Sequence, residues 1–419
     1  MAGTDTIDRG VESEAARARW AAASLYLMNG IGFGMWAALL PLLKERLDLD
    51  ELGLSALLLS MVGGALVGMP TVGRVVSRFG SRGALTAIVP LFGLALLGPV
   101  FAGSFAVAVV AAGILGALKG AFDVSLNSQA IVVEKAVGRP IMARLQALWS
   151  LGGLLVAAAI GVVLKFGVSV EGTALSVGLL VCGLGWARAK RLLPDLPLAT
   201  DREVRAKTGR GTSMNGAIVA VGALAFVSLF AEGVMMDWSA VYVRDVASAE
   251  AWLAPFAYGM FSCAMAAGRF SGDYLMERLG SVRLLRWSGG FAVAGIALVS
   301  AVPVWQVAFV GLGLAGVGIA NLVPIFLGAG GRAHPDGVGR GVAAVSTIGY
   351  LGFLSGPPLV GLVSEWAGLQ VAFGLVAILS LFIGLGGPWI LRLSARRSGS
   401  ARPECSYEAT SEACLKGVS

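Results

Sequence analysis

Apolar runs of roughly 20 residues recur along almost the whole chain, separated by short polar connections. A helix of that length spans a bilayer. Twelve spans are predicted, near residues 20–42, 53–73, 84–103, 105–130, 142–165, 172–188, 215–237, 252–272, 284–304, 306–330, 341–364 and 370–391. One connection is long: residues 189–214 form a polar, basic stretch between spans six and seven. The predicted organisation is a tail (1–19), a six-helix half (20–188), a linker (189–214), a second six-helix half (215–392) and a C-terminal tail (393–419).

The two halves read as pseudo-repeats. SRFGSR (Ser77–Arg82) is echoed by ERLGSVR (Glu277–Arg283), and WSLGG (Trp149–Gly153) by YLGFL (Tyr350–Leu354), both at an offset close to 200 residues. Two parallel six-helix repeats predict an all-α membrane protein with its binding site between them, near the midplane.

The polar residues inside the spans are not evenly spread. Span four carries Lys119, Asp123 and Asn127 at four-residue spacing, which sets a cation, an anion and an amide on one helix face. Span seven carries Glu232 and Asp237, followed by Trp238, while spans one and ten carry Asn29 and Asn321. Spans three, six, nine and twelve have essentially no ionisable residue in their interiors. A period of three suggests that one helix of each triplet faces an aqueous cavity and another faces lipid. The run Phe105–Leu118 covers only about 21 Å at 1.5 Å per residue, so span four must continue through Lys119 to cross a core of about 30 Å. Intramembrane charges pair or face water. Asp123 or Glu232 is then a candidate proton carrier and Lys119 a candidate anion contact or counter-ion. The alternative is a structural Lys119–Asp123 pair, although Lys before Asp at i,i+4 is the poorer orientation, and partners on other helices are open. Asn29 and Asn321 are candidates for interhelical hydrogen bonds as well as for the cavity.

Composition agrees: 57% of residues are hydrophobic and 14% charged, against about 25% charged in soluble domains. The net charge of +7 follows from placement. With both termini inside, 27 of the 32 Lys and Arg fall on the inner side, Lys44, Arg46, Lys165 and Arg244 on the outer, and Lys119 within a span. That distribution predicts cytoplasmic termini and calls for no nucleic-acid partner. The four cysteines, Cys182, Cys263, Cys405 and Cys414, form no CxxC pair, and the one histidine, His334, sits in a short loop. Neither a metal site nor a cofactor is expected. No GxxxxGK[ST], HExxH or GxSxG occurs, which argues against an enzyme.

Spans two, five, eight and eleven are rich in Gly and Ser, the composition of helices that pack closely and slide. Pro357 and Pro358 predict a bend or break in span eleven.

The loop after span two, with Gly73, Arg78, Gly80 and Arg82, resembles the cytoplasmic signature G-x-x-x-D-R-x-G-x-R/K of the major facilitator superfamily. Ser77 stands where the signature has Asp. The second-half echo keeps an acid, Glu277, before Arg278 and Gly280, and has Asp273 at the first Gly position. In the family that acid helps to latch the inward face. Three patches, Phe122–Gly153, Ala231–Asp245 and Phe261–Leu275, are similar to a poorly characterised bacterial branch. The resemblance covers residues 18–393. It implies alternating access without ATP, in a bacterial inner membrane, for small polar compounds including sugar- or inositol-like ones. The reading is a monomeric secondary transporter of a small polar or anionic solute, coupled to protons. Drug/proton antiport is the alternative, and a non-transporting membrane sensor ranks below both.

Overall fold

The computed structural model describes residues 2–138, 141–194, 216–333 and 338–398. Among them every regular element is helical. The N-terminal set comprises α1 (Ala2–Arg46), α2 (Glu51–Ala95), α3 (Leu97–Phe101), α4 (Phe105–Val137), α5 (Met142–Lys165), α6 (Val170–Leu180), a π-helical turn (Val181–Gly185) and α7 (Trp186–Ala189). The C-terminal set comprises α8 (Gly216–Asp245), α9 (Ala254–Ala301), α10 (Trp305–Ile319), α11 (Leu322–Ala333), α12 (Val338–Ala367) and α13 (Leu369–Ser398). Ten helical stretches among the described residues are long and apolar enough to cross a membrane. The predicted linker from residue 195 onward, His334, Cys405, Cys414 and residues 399–419 lie outside the described residues, as does the side chain of Asp273.

The boundaries differ from the sequence reading in four places. α1 begins at Ala2, well before residue 20. The predicted loops near Arg78 and Arg278 shrink to single residues: Gly80 (φ 75°, ψ 162°) inside α2 and Gly280 (φ 71°, ψ 162°) inside α9. That combination is open in practice only to glycine, so each helix turns there without a loop. The tenth run is interrupted at Ala320–Asn321, between α10 and α11. The predicted break at Pro357 and Pro358 does not occur, since α12 runs unbroken through both. Trp238 Nε1 of α8 donates to the Pro357 carbonyl at 3.3 Å.

Burial is inverted relative to a soluble protein. Side chains on the outside of the bundle are apolar: on α13, Ile378, Phe382, Leu385 and Trp389 are exposed along one face. Such a face suits hydrocarbon. Polar side chains are instead buried inside, among them Asn29, Lys119, Glu232 and Asp237.

Loops at one end of the bundle are tightly tied. Asp50 caps α2 by accepting from the Gly53 N–H at 2.7 Å. Arg46 donates to the carbonyls of Val100, Pro99 and Ala102, groups left without helical partners at the end of α3.

Candidate functional site

The two sets of helices meet at the end that carries Lys44. Lys44 Nζ lies 2.6 Å from Asp245 Oδ2 and 3.0 Å from Glu51 Oε1. Beside it, Arg244 Nε reaches Glu45 Oε1 at 2.8 Å, so the cation and anion are exchanged between α1 and α8. Just below, α12 is so close to α2 that a Cβ on Gly361 would overlap Ser55 Oγ, and Phe256 of α9 fills the space a Cβ on Gly161 would take. The next described polar link between the sets lies deeper, where Arg269 Nη1 donates to Ser150 Oγ at 3.1 Å.

A charged cluster lies at mid-depth. In the N-terminal set, Lys119 Nζ stands 2.5 Å from Asp123 Oδ2, so the i,i+4 pair forms despite its poorer orientation. Asp123 Oδ1 accepts from Asn29 Nδ2 on α1 at 3.0 Å. The Asn29 carbonyl oxygen in turn accepts from Trp149 Nε1 on α5 at 2.9 Å. Lys119 is bracketed by aromatic faces, 5.5 Å from the Phe33 centroid and 5.9 Å from Trp149, within cation–π range. Asn127 has a partner of its own in Tyr26, whose hydroxyl donates to Asn127 Oδ1 at 2.6 Å. Of the predicted stripe on span four, Lys119 and Asp123 belong to one bonded network with Asn29 of α1 and Trp149 of α5, while Asn127, one turn beyond Asp123, pairs separately with Tyr26.

The C-terminal set contributes a second pair. Arg269 Nη2 lies 2.9 Å from Glu232 Oε1. The sequence reading counts Arg269 with the inner loops, and the structure corrects this: it lies 15 residues into α9, about 22 Å along the helix. Tyr350 of α12 lies within Coulombic range of both Asp123 and Glu232 and is 48% exposed. The Asp123 side chain is 29% exposed.

The other predicted residues are placed apart from this layer. Asn321 donates to the Gly268 carbonyl at 3.0 Å and packs the break between α10 and α11. Trp238 is fully buried against α12. Asp237 is buried, and its Oδ1 has no hydrogen-bond partner among the described residues.

At the Arg82 end, Ser77 Oγ bonds back to the Arg74 carbonyl at 2.9 Å, within its own helix. Arg78 lies over the Phe79 ring and Arg278 over the Tyr274 ring. Arg82 Nη2 donates to the Lys190 carbonyl at 2.7 Å. Glu277 is exposed and makes no ion pair among the described residues. Gly73 has open space where a side chain would project, whereas Gly80 and Gly280 are held at positive φ.

Sequence reasoning missed Tyr26, Phe33, Trp149 and Arg269. An aromatic inside an apolar run carries no signal of its own. Arg269 does have one: a lone arginine deep in FSCAMAAGRFSG, where only an intramembrane acid can match it.

Residues 22–330 match the family described as Major Facilitator Superfamily. An uncharacterized MFS-type transporter of Yersinia pestis is 31% identical over 367 residues, covering 88% of this chain and 94% of that one. An uncharacterized transporter of Sinorhizobium fredii is 32% identical over 374 residues, covering 87% and 96%. The membrane protein MosC of Rhizobium meliloti is 30% identical over 384 residues, covering 91% and 92%. Among solved structures, a bacterial homolog to the human lysosomal transporter Spinster, inward-facing and unoccupied, superposes with TM-score 0.67 at 14% identity over 94% of this chain and 99% of that one. The nucleoside transporter NupG superposes with TM-score 0.62 at 13% identity over 92% and 100%. At such identities the structures speak for the fold alone. This chain belongs to the Major Facilitator Superfamily, and it is a multi-pass membrane transporter, not an enzyme.

Proposed function

We propose that this protein is a proton-coupled secondary transporter that moves a small polar or anionic solute by alternating access. One observation carries the reading: each set of helices holds a charge pair within the bundle, Lys119–Asp123 and Arg269–Glu232, and Arg269 also reaches Ser150 of the other set. The solute would bind between these pairs, against Trp149, Tyr26 and Tyr350.

Counting the turns at Gly80 and Gly280 as returns across the bilayer gives twelve crossings in two sets of six. The Lys/Arg distribution then sets both termini in the cytoplasm of a bacterial cell, with the chain in the inner membrane. In that orientation the Lys44 end is the outer end, and it is closed in this conformation. The pseudo-repeat at residues 20–188 and 215–392 supplies the two bodies that rock, joined by the linker 189–214. In that orientation the glycine signature lies at the cytoplasmic rim. Drug/proton antiport is less well supported, since a cavity for hydrophobic cations is acidic, and here each paired carboxylate is matched by a cation.

The test begins with the purified monomer. A thermal-shift screen covers sugars, polyols, organic acids and nucleosides, because a bound solute stabilises by about 2.7 kcal/mol at a hundredfold excess over Kd. Hits are then assayed for accumulation in proteoliposomes with and without a pH gradient. Accumulation that needs the gradient supports the reading; hits that bind without ever being moved would overturn it.

A further inference from the structure

Three carboxylates sit at depth in the bundle, and their surroundings differ. Asp123 has Lys119 at 2.5 Å and Asn29 at 3.0 Å. Glu232 has Arg269 at 2.9 Å. Asp237 has neither a cation nor a donor: no hydrogen bond or ion pair reaches it among the described residues, and it is buried. We infer that Asp237, rather than Asp123 or Glu232, is the residue that takes up and releases the coupling proton. This rests on the proton-coupled reading above.

The register of α1 and α8 fixes its depth. The two helices run in parallel from the Arg82 end and are joined at Lys44–Asp245 and Glu45–Arg244. Asp237 lies eight residues before Asp245, and Trp36 eight residues before Lys44. Both stand about 12 Å beneath the ion pairs, at one level. Trp36 Nε1 is itself a buried donor with no hydrogen-bond partner among the described residues, and Tyr258, whose hydroxyl has Ser262 beside it, lies within Coulombic range of Asp237. A bare carboxylate at this depth, with nothing to pair it, costs far more than its neutral acid. The closed outer end therefore suits a protonated Asp237.

The groups around it do not change this. Helices α1, α9, α10, α11, α12 and α13 pack against α8. Their described charged or titratable groups are Glu14, Arg17, Arg19, Tyr26, Lys44, Glu45 and Arg46 on α1, Tyr258, Cys263, Arg269, Tyr274, Glu277, Arg278, Arg283 and Arg286 on α9, Arg332 on α11, Tyr350 and Glu365 on α12, and Arg392 on α13. None bonds Asp237, and the cations nearest in register are committed, Lys44 and Arg244 at the outer end and Arg269 to Glu232. When the outer ion pairs part, water reaches the carboxyl. An O–H bond then forms or breaks at Asp237 with the outer aqueous phase as donor or acceptor.

The experiment uses the full chain in liposomes and needs no solute. Infrared spectra across pH, in light and heavy water, read the carbonyl stretch of protonated carboxyl groups. A band that persists at neutral pH and is lost on alkalinisation is expected in the wild type, in Asp123→Asn and in Glu232→Gln. It is expected to be lost in Asp237→Asn and displaced in frequency in Asp237→Glu, which keeps an acid and so controls for folding. A band retained unchanged in Asp237→Asn overturns the assignment. A band lost in Asp123→Asn instead also overturns it, while leaving proton coupling in place. Absence of any such band from the wild type overturns it together with the coupled reading.

Discussion

Lys44 and Asp245 stand 201 residues apart in sequence and 2.6 Å apart in space, next to the reversed pair Glu45 and Arg244. Both pairs are partly exposed, so each is worth about 0.5–1 kcal/mol. Asp245→Lys should shift the population away from the state closed at this end by roughly two- to fivefold. Spin labels at the exposed positions Leu52 and Trp366 would report longer distances. Adding Lys44→Asp should bring the distances part of the way back. Unchanged distances in the single variant would show that apolar packing alone closes this end.

The Lys119–Asp123 pair should behave as a unit. Removing Lys119 alone leaves Asp123 with one neutral donor, whereas removing both charges leaves neither stranded. Lys119→Ala should therefore lower thermal stability more than Lys119→Ala with Asp123→Asn. A double-mutant cycle should return a coupling of about 1–3 kcal/mol. Additive effects would mean that the two side chains are held independently.

The two signature glycines should separate cleanly. Gly80→Ala places a side chain at a positive φ and should cost about 1–3 kcal/mol. Gly280→Ala should cost the same. Gly73→Ala meets open space within a regular helix and should be neutral or stabilising by up to about 1 kcal/mol. Melting temperatures of the three variants in one detergent decide the matter.

Trp149→Phe keeps the ring beside Lys119 but removes the N–H that holds Asn29. It should cost about 0.5–1.5 kcal/mol of stability. It should also weaken solute binding less than Trp149→Ala, which removes the aromatic face as well. Equal losses in both would locate the whole contribution in the hydrogen bond.

Much of this architecture is legible in the sequence because bilayer physics writes it in long runs. The polar positions on spans one, four and seven are visible as exceptions to those runs, and two of them, Asn29 and Asp123, are bonded to each other. What links them is not visible. Tyr26 and Trp149 reach their partners across more than 100 residues of chain, and nothing in an apolar run announces that reach. Arg269 was hidden for the opposite reason. The rule that gathers arginines at the inner side also absorbs one that lies deep in a helix. The prolines of α12 point to a break that does not form, since a proline removes one backbone donor without ending a membrane helix.

Lys44, Glu45 and Arg46 are consecutive, yet they answer to different bodies. The first two reach across to α8, while Arg46 stays at home, gripping the carbonyls that end α3. The tip of α1 is thus a catch on one side and a fixed post on the other. If the catch is released, the post remains, and α1 carries the turn between α3 and α4 along with it.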